Sequence, residues 1–291
     1  INQIFDEADT IIGIGYDIVE CFPRKWNPEN NHKIIHIGNQ AAHINKRYQP
    51  EVQVVGDISD SLYEILRRSE RETEPVYALE IKKKIQADHD QYEFDDAFPV
   101  KPQRLLHDVR KVMGKDDILV SDVGAHKMWI ARHYNCYQPN TCIISNGFAS
   151  MGIAIPGAVA AKLVYPEKKV LAVTGDGGFM MNMQELETAS RIGAGFVTLI
   201  LNDSSYGLIK WKQMEHFGTT CYTDFTNPDF VKLAEVMGGK GYRVEKADDL
   251  MPMLEDAFRQ DKLALIDCRV DYDENMKLSA QLAQLARQEK K

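Results

Sequence analysis

Thr174-Gly175-Asp176-Gly177-Gly178-Phe179 and, further along, Leu201-Asn202-Asp203-Ser204-Ser205 decide how this chain is read. Each carboxylate follows an apolar run with the composition of a buried parallel strand. Val170-Leu171-Ala172-Val173 precedes Asp176, and Phe196-Val197-Thr198-Leu199-Ile200-Leu201 precedes Asp203. Between them, Gln184-Glu185-Leu186-Glu187-Thr188-Ala189-Ser190 has helical composition and ends near Gly193. Such a strand–helix–strand unit crosses over right-handedly and brings both strand ends to one sheet edge. Two oxygen-donor side chains then converge where open α/β sheets bind ligands. Glycines beside Asp176 let backbone N–H groups approach a phosphate at a helix start. Hard oxygen ligands beside that cradle suit Mg²⁺ or Ca²⁺ holding a diphosphate. Taken singly, Asp176 could be a turn residue and Asp203 a helix cap. The pair, in this context, points to a site.

The 291 residues exceed one small core and leave room for two α/β domains. A hydrophobic share of 44% with 27% charged residues fits a globular chain. A formal charge of −8 without a basic stripe argues against non-specific nucleic-acid binding. No apolar stretch approaches a membrane span, and Ile1-Asn2-Gln3 lacks signal-peptide architecture. Cys21, Cys136, Cys142, Cys221 and Cys268 are scattered without zinc-ligand spacing, so reduced thiols in a cytoplasmic enzyme are the simplest account. The chain lacks an initiating Met and enters a strand, Ile11–Gly15, almost at once. A fragment of a longer protein is therefore expected.

Outward from the opening motif, the chain alternates strand-like and helix-like runs. Thr10–Ile14, Lys33–Ile37 and Val52–Asp57 read as strands, followed by a helix Ser59–Arg68 with Ser59 as its N-cap. Gly13-Ile14-Gly15 is not a dinucleotide fingerprint, because Ile18 stands where the third glycine belongs. Lys82–Asp96 reads as a linker or exposed helix, and Phe98–Pro102 as a boundary. Beyond it come helix Gln103–Met113, strand Ile118–Ser121, helix His126–His133, strand Thr141–Ser145 and small-residue helix Met151–Leu163. Pro228–Met237 and Ala247–Gln260 read as surface helices, Leu263–Val270 as a last strand and Leu278–Lys291 as a helical tail. The expected division is residues 1–80, a linker 81–98, and residues 99–291. The fold class is α/β with open parallel sheets flanked by helices.

The Gly-Asp-Gly motif, followed after a helix and a strand by an Asn-Asp pair, resembles the cofactor anchor of thiamine diphosphate enzymes. Asp122–Trp129, Ser145–Gly152, Gln184–Ala189 and Val270–Asn275 narrow the resemblance to acetolactate synthases, the last run to their catabolic branch. It covers essentially the whole chain. It implies the C-terminal part of a central α/β domain followed by a diphosphate-binding domain of the thiamine diphosphate-binding fold. Asp176 and Asp203 would bind Mg²⁺ through side chains and Ser205 through its carbonyl. Gly124, His126, Gly177 and Gly178 would hold the diphosphate; Ala125 stands where many relatives have Gln, removing one phosphate donor. His126 is otherwise a surface residue at a helix start. Met151 would be the wedge that bends the cofactor, although a Met opening an apolar helix is also an ordinary core residue. The Ala149 carbonyl would accept from the cofactor's 4′-amino group. Tyr206, Gly207, Leu208 and Ile209 would line the substrate side, with Trp211 and Lys212. Lys212 replaces a Trp that governs 2-ketobutyrate preference in biosynthetic relatives, so pyruvate is implied as donor and acceptor.

The resemblance also implies that a Glu from the pyrimidine domain of a partner subunit activates the cofactor, in a homodimer or homotetramer. No residue here matches that Glu, so the catalytic residue is unknown and the isolated fragment is expected to be inactive. Gly15–Pro23 replaces the Arg-Phe-Asp-Asp-Arg run of flavin-containing relatives, so FAD is not expected. Other thiamine diphosphate 2-keto acid decarboxylases or carboligases, and a noncatalytic cofactor-binding subunit of a split enzyme, are the alternatives.

Overall fold

The computed structural model describes residues 2–19, 21–69 and 76–288. The chain divides into two units, Ile1–Ala87 and Asp88–Lys291. In the first, strands β1 (Thr10–Ile14), β2 (Lys33–Gly38) and β3 (Val52–Val55) pair in that order, all parallel. Trp26, Ile34 and Tyr48 form its small buried core, and His36 Nδ1 lies 2.9 Å from the Tyr48 hydroxyl. The helix Ile58–Arg68 is capped by Asp57, whose carboxylate accepts from the Asp60 N–H, and not by Ser59 as expected. Asp57 holds the extended conformation an N-cap needs, whereas Ser59 is already inside the first turn. A helix, Val76–Asp90, occupies the start of the expected linker.

The second unit is built on a sheet of six parallel strands: β4 (Ile118–Ser121), β5 (Cys142–Ile144), β6 (Val170–Gly175), β7 (Val197–Asn202), β8 (Lys240–Val244) and β9 (Ala264–Arg269). Their order is β5-β4-β6-β7-β9-β8. Side chains alternate between two covered faces, which is why the strands read as continuous apolar runs. Leu119, Leu171, Val173, Leu199 and Ile266 pack with Leu105, Ile130 and Leu254 of the helices Pro102–Val112, Ala125–His133 and Leu250–Arg259. Ile118, Val120, Ala172, Ile200 and Leu265 face the other way, toward Ile155, Phe179, Leu186 and Phe230. From β4 the chain runs outward to the edge strand β5 and then back across to β6. The carboxyl ends of β4 and β6 therefore flank a topological switch point, the usual ligand crevice of such sheets.

Two helices differ from expectation. The small-residue helix spans Ala154–Val164 and excludes Met151, because Ala149 (φ 48°) and Gly152 (φ 86°) hold left-handed backbone that a helix cannot contain. A short helix, Asp176–Asn182, starts at the glycine-flanked carboxylate itself and is separate from the helix expected over Gln184–Ser190. The helix Glu185–Ile192 closes on Gly193 (φ 68°), whose N–H returns to the Ala189 and Ser190 carbonyls. A Cβ at Gly193 would meet nothing within 4 Å, so substitution there tests backbone conformation alone. Gly193→Ala is expected to destabilise the protein by about 1 kcal/mol, and Gly193→Asn by less, in urea unfolding.

Candidate functional site

A cavity of about 200 Å³ opens at the carboxyl ends of β4, β6 and β7. Gly124 and His126 reach it from the end of β4, and Ala149 and Met151 from the segment after β5. Asp176, Gly177 and Gly178 follow β6; Asp203, Ser205, Tyr206, Gly207, Leu208 and Ile209 follow β7; Tyr272 enters after β9. Residues expected from the sequence to act together thus line one space.

The two carboxylates dominate its electrostatics. Burial raises the pKa of Asp176, against hydrogen bonds from Asn227, the Ser204 N–H and the Gly177 N–H. Burial, then the neighbouring Asp176 charge, push Asp203 up to about 7. Two neighbouring carboxylates disfavour joint ionisation, and a shared cation would relieve that repulsion. Among the described residues no three or more His, Cys, Asp or Glu gather as a metal cluster. A cation here would take two carboxylates and complete its shell with carbonyl, water or ligand oxygens, the habit of Mg²⁺.

The glycines have packing reasons of their own. A Cβ on Gly177 would sit 3.0 Å from the Tyr206 ring and 3.2 Å from Phe225, and one on Gly178 would sit 3.0 Å from Asp122 Oδ1. Asp122 is fully buried. Its Oδ1 accepts from the N–H groups of Val123 (2.6 Å) and Gly152 (2.8 Å), and its Oδ2 from that of Ala154 (3.1 Å). One carboxylate at the end of β4 therefore starts the helix Ala154–Val164 and fixes the left-handed turn that carries Ala149 and Met151 to the cavity. His126 is buried against Gly124, and burial pushes its pKa down to about 4, outweighing the raising effect of Asp122. Its Nε2 has no hydrogen-bond partner among the described residues. The Tyr272 hydroxyl is likewise buried, beside the His126 backbone, without a hydrogen bond of normal geometry. Orphaned polar atoms and a glycine-walled hollow at one crevice fit a polar ligand.

Trp211 and Lys212 do not belong to this space. Both follow the first turn of the helix Gly207–Phe217, whose residues 207–209 face the cavity. Trp211 points into the core, with its indole N–H donating to Ser279 Oγ at 2.8 Å, and Lys212 pairs with Glu215 at 2.7 Å on the surface. Two residues of the site escaped the sequence: Tyr272, within a run valued only for resemblance, and Asn227, which donates to Asp176 Oδ2 at 2.6 Å. An Asn before Pro228 ahead of a helix carries a turn signal, and nothing in it points to a carboxylate far upstream.

Asp122→Ala would leave the Gly152 and Ala154 N–H groups buried and unpaired, with an expected loss of about 3 kcal/mol in urea unfolding and a smaller loss for Asp122→Asn. His126 and His133 are both pushed down to about 4, chiefly by burial. Unfolded histidines titrate near ~6.5, so between these values the unfolded chain binds more protons. The stabilisation is complete above the unfolded value and is lost as pH falls toward 4. Urea midpoints should drop from pH 7 to pH 5, and His133→Gln should make that drop shallower.

Comparison with known proteins accords with this geometry. Residues 122–268 match the thiamine pyrophosphate enzyme C-terminal TPP-binding domain, and residues 1–65 match the central domain of such enzymes. An acetolactate synthase of Bacillus subtilis (strain 168) is 34% identical over 287 residues, covering 96% of this chain and 50% of the relative. A catabolic acetolactate synthase of Raoultella terrigena is 33% identical over 286 residues, covering 97% and 51%. A putative thiamine pyrophosphate-containing protein of Bacillus subtilis (strain 168) is 31% identical over 272 residues, covering 92% and 46%. The chain spans about half the length of these curated relatives. With the two carboxylates, the glycines beside them and the switch point of the sheet all inside the matched span 122–268, the chain belongs to the thiamine pyrophosphate enzymes.

Proposed function

We propose that this chain supplies the Mg²⁺–diphosphate half of an acetolactate synthase, which converts two pyruvates to 2-acetolactate and CO₂. Residues 1–80 would be the C-terminal part of a central domain, 81–98 a linker and 99–291 the diphosphate-binding domain. One observation carries the proposal: a buried and a half-buried carboxylate beside glycines and an unpartnered His126 Nε2, in a cavity of about 200 Å³. Pockets that enclose a whole drug-sized ligand run to roughly 300–1,000 Å³, so this one suits one end of a ligand completed by another surface.

Asp176 and Asp203 would hold Mg²⁺ through their side chains, with the Ser205 carbonyl as third protein ligand. The N–H groups of Gly124, His126, Gly177 and Gly178 would orient the diphosphate, assisted by the start of the Ala125–His133 helix. Met151 would press beneath the cofactor, and the Ala149 carbonyl, beside its left-handed backbone, would accept a hydrogen bond from the cofactor's 4′-amino group. Tyr206, Gly207 and Leu208 would flank it, and Ile209 would keep water from the pyruvate side. When bound, thiamine diphosphate supplies the carbon nucleophile and electron sink for decarboxylation and carbon–carbon bond formation. The chain's own work is conformation, charge neutralisation and exclusion of water. The activating Glu would come from the pyrimidine domain of a partner subunit in a homodimer or homotetramer, and residues 1–291 alone would not turn over.

In the full-length protein, pyruvate should yield 2-acetolactate; acetaldehyde or acetyl phosphate as the main product would replace this proposal with another decarboxylase of the family. Asp176→Ala should abolish Mg²⁺-dependent cofactor binding, because a dication loses its hard ligand. Unchanged calorimetric affinity would refute the assignment.

A further inference from the structure

Asp176 is held from behind. Its Oδ2 accepts from the Ser204 N–H at 2.7 Å and from Asn227 Nδ2 at 2.6 Å. Among the described residues, its Oδ1 accepts from another residue only at the Gly177 N–H, at 2.9 Å. Asn227 Nδ2 also donates to Asn202 Oδ1 at 3.1 Å, and Asn202 Nδ2 donates to Asp267 Oδ1 at 2.9 Å. Asp267 Oδ2 accepts from Arg243 Nε at 3.4 Å, and Arg243 Nη2 donates to Asp229 Oδ1 at 2.7 Å. Asp229 is the N-cap of the helix Phe230–Val236 and lies two residues from Asn227. The chain of bonds thus leaves the site, crosses the carboxyl ends of β7, β9 and β8, and returns to the segment from which it started.

The ends of this chain fix the direction of every amide in it. Asp267, facing a guanidinium, only accepts, so Asn202 must turn its NH₂ toward Asp267 and its carbonyl toward Asn227. Asn227 must then turn its own NH₂ inward, where it meets both Asn202 Oδ1 and Asp176 Oδ2. Its Oδ1 is left buried without a partner among the described residues.

We propose that Asn227 is a positioning residue, and that the directed relay Arg243–Asp267–Asn202–Asn227 saturates Asp176 Oδ2 so that Oδ1 is the oxygen offered to a divalent cation. The proposal rests on Asp176 as a cation ligand. It adds that the ligand is monodentate, that its orientation is set by residues outside the cavity, and that metal affinity answers to an ion pair at the far end of the sheet edge. Outer partners of metal ligands typically govern affinity about 10–100-fold.

The test uses the full-length protein with Mn²⁺ as probe, read by electron paramagnetic resonance of the bound ion and by calorimetry with thiamine diphosphate present. Asn227→Ala should weaken Mn²⁺ binding about tenfold or more and broaden the bound-ion spectrum, as the carboxylate gains freedom. Asp267→Asn, which frees Asn202 to flip, should weaken it in the same direction, and the double variant should fall short of the product of the single effects. Thermal unfolding of the metal-free proteins separates a merely structural effect, which would lower the midpoint and leave affinity and spectrum unchanged. Wild-type affinity and spectrum in both folded single variants, with Asp176→Ala abolishing binding, would overturn the relay and spare the metal site. Wild-type affinity in Asp176→Ala itself would overturn the site. If Asn227→Ala fails to fold, Asp267→Asn decides alone.

Discussion

Two neighbouring carboxylates at the carboxyl edge of one parallel sheet, Asp176 buried and Asp203 half-buried, place a constraint on everything around them. Desolvation raises the pKa of both, and the neighbouring Asp176 charge pushes Asp203 further toward neutrality. A protein keeps such a pair only if a cation offsets it, or if donors around it restrain it. Both occur in the geometry here: donors gather on Asp176 Oδ2, while the cavity side of the pair stays open. Gly177 follows from the same constraint, since Tyr206 and Phe225 close over the carboxylate end of β6 and leave no room for a Cβ.

A third carboxylate, the buried Asp122, has the opposite role. It accepts from backbone donors: the Gly152 and Ala154 N–H groups tie the end of β4 to the segment after β5, and the Val123 N–H closes on it locally. The left-handed conformation of Ala149 carries a strain of roughly 1–2 kcal/mol, which a bare loop would relax. Anchoring Gly152 and Ala154 to Asp122 holds the chain directly after Met151, so that strain persists at the cavity wall instead of dissipating. The switch point of the sheet is thus lined by carboxylates of two kinds, one bonded to backbone N–H groups and one lining the cavity.

The sequence was legible wherever the information was local or periodic. Continuous apolar runs located β4, β6, β7 and β9 because both faces of the sheet are covered, and Gly193 marked a helix end because only glycine takes its backbone conformation without strain. Tertiary information was not legible. Ser59 looked like a cap until Asp57 proved to hold the extended backbone and the bond to Asp60. Met151 looked like the first residue of a helix, but the side chain that starts that helix lies on another strand. Trp211 and Lys212 shared a helix with the cavity residues but lie a turn further along it, where Trp211 packs into the core and Lys212 pairs with Glu215. Asn227 lay furthest from reach, because its partner is a carboxylate in a different strand–helix unit.

That last case shows how a sheet edge differs from a list of motif residues. The strand ends of β7, β9 and β8 lie side by side because their ladders fix Asn202 beside Arg269 and Val244 beside Cys268. Polar side chains at neighbouring strand ends then bond laterally, and the orientation of one amide dictates the next. A sheet built from rigid ladders therefore transmits geometry along its edge as well as along its strands. The glycine-flanked Asp176 is the visible member of the site, and its aim is set by side chains that sequence spacing leaves unrelated.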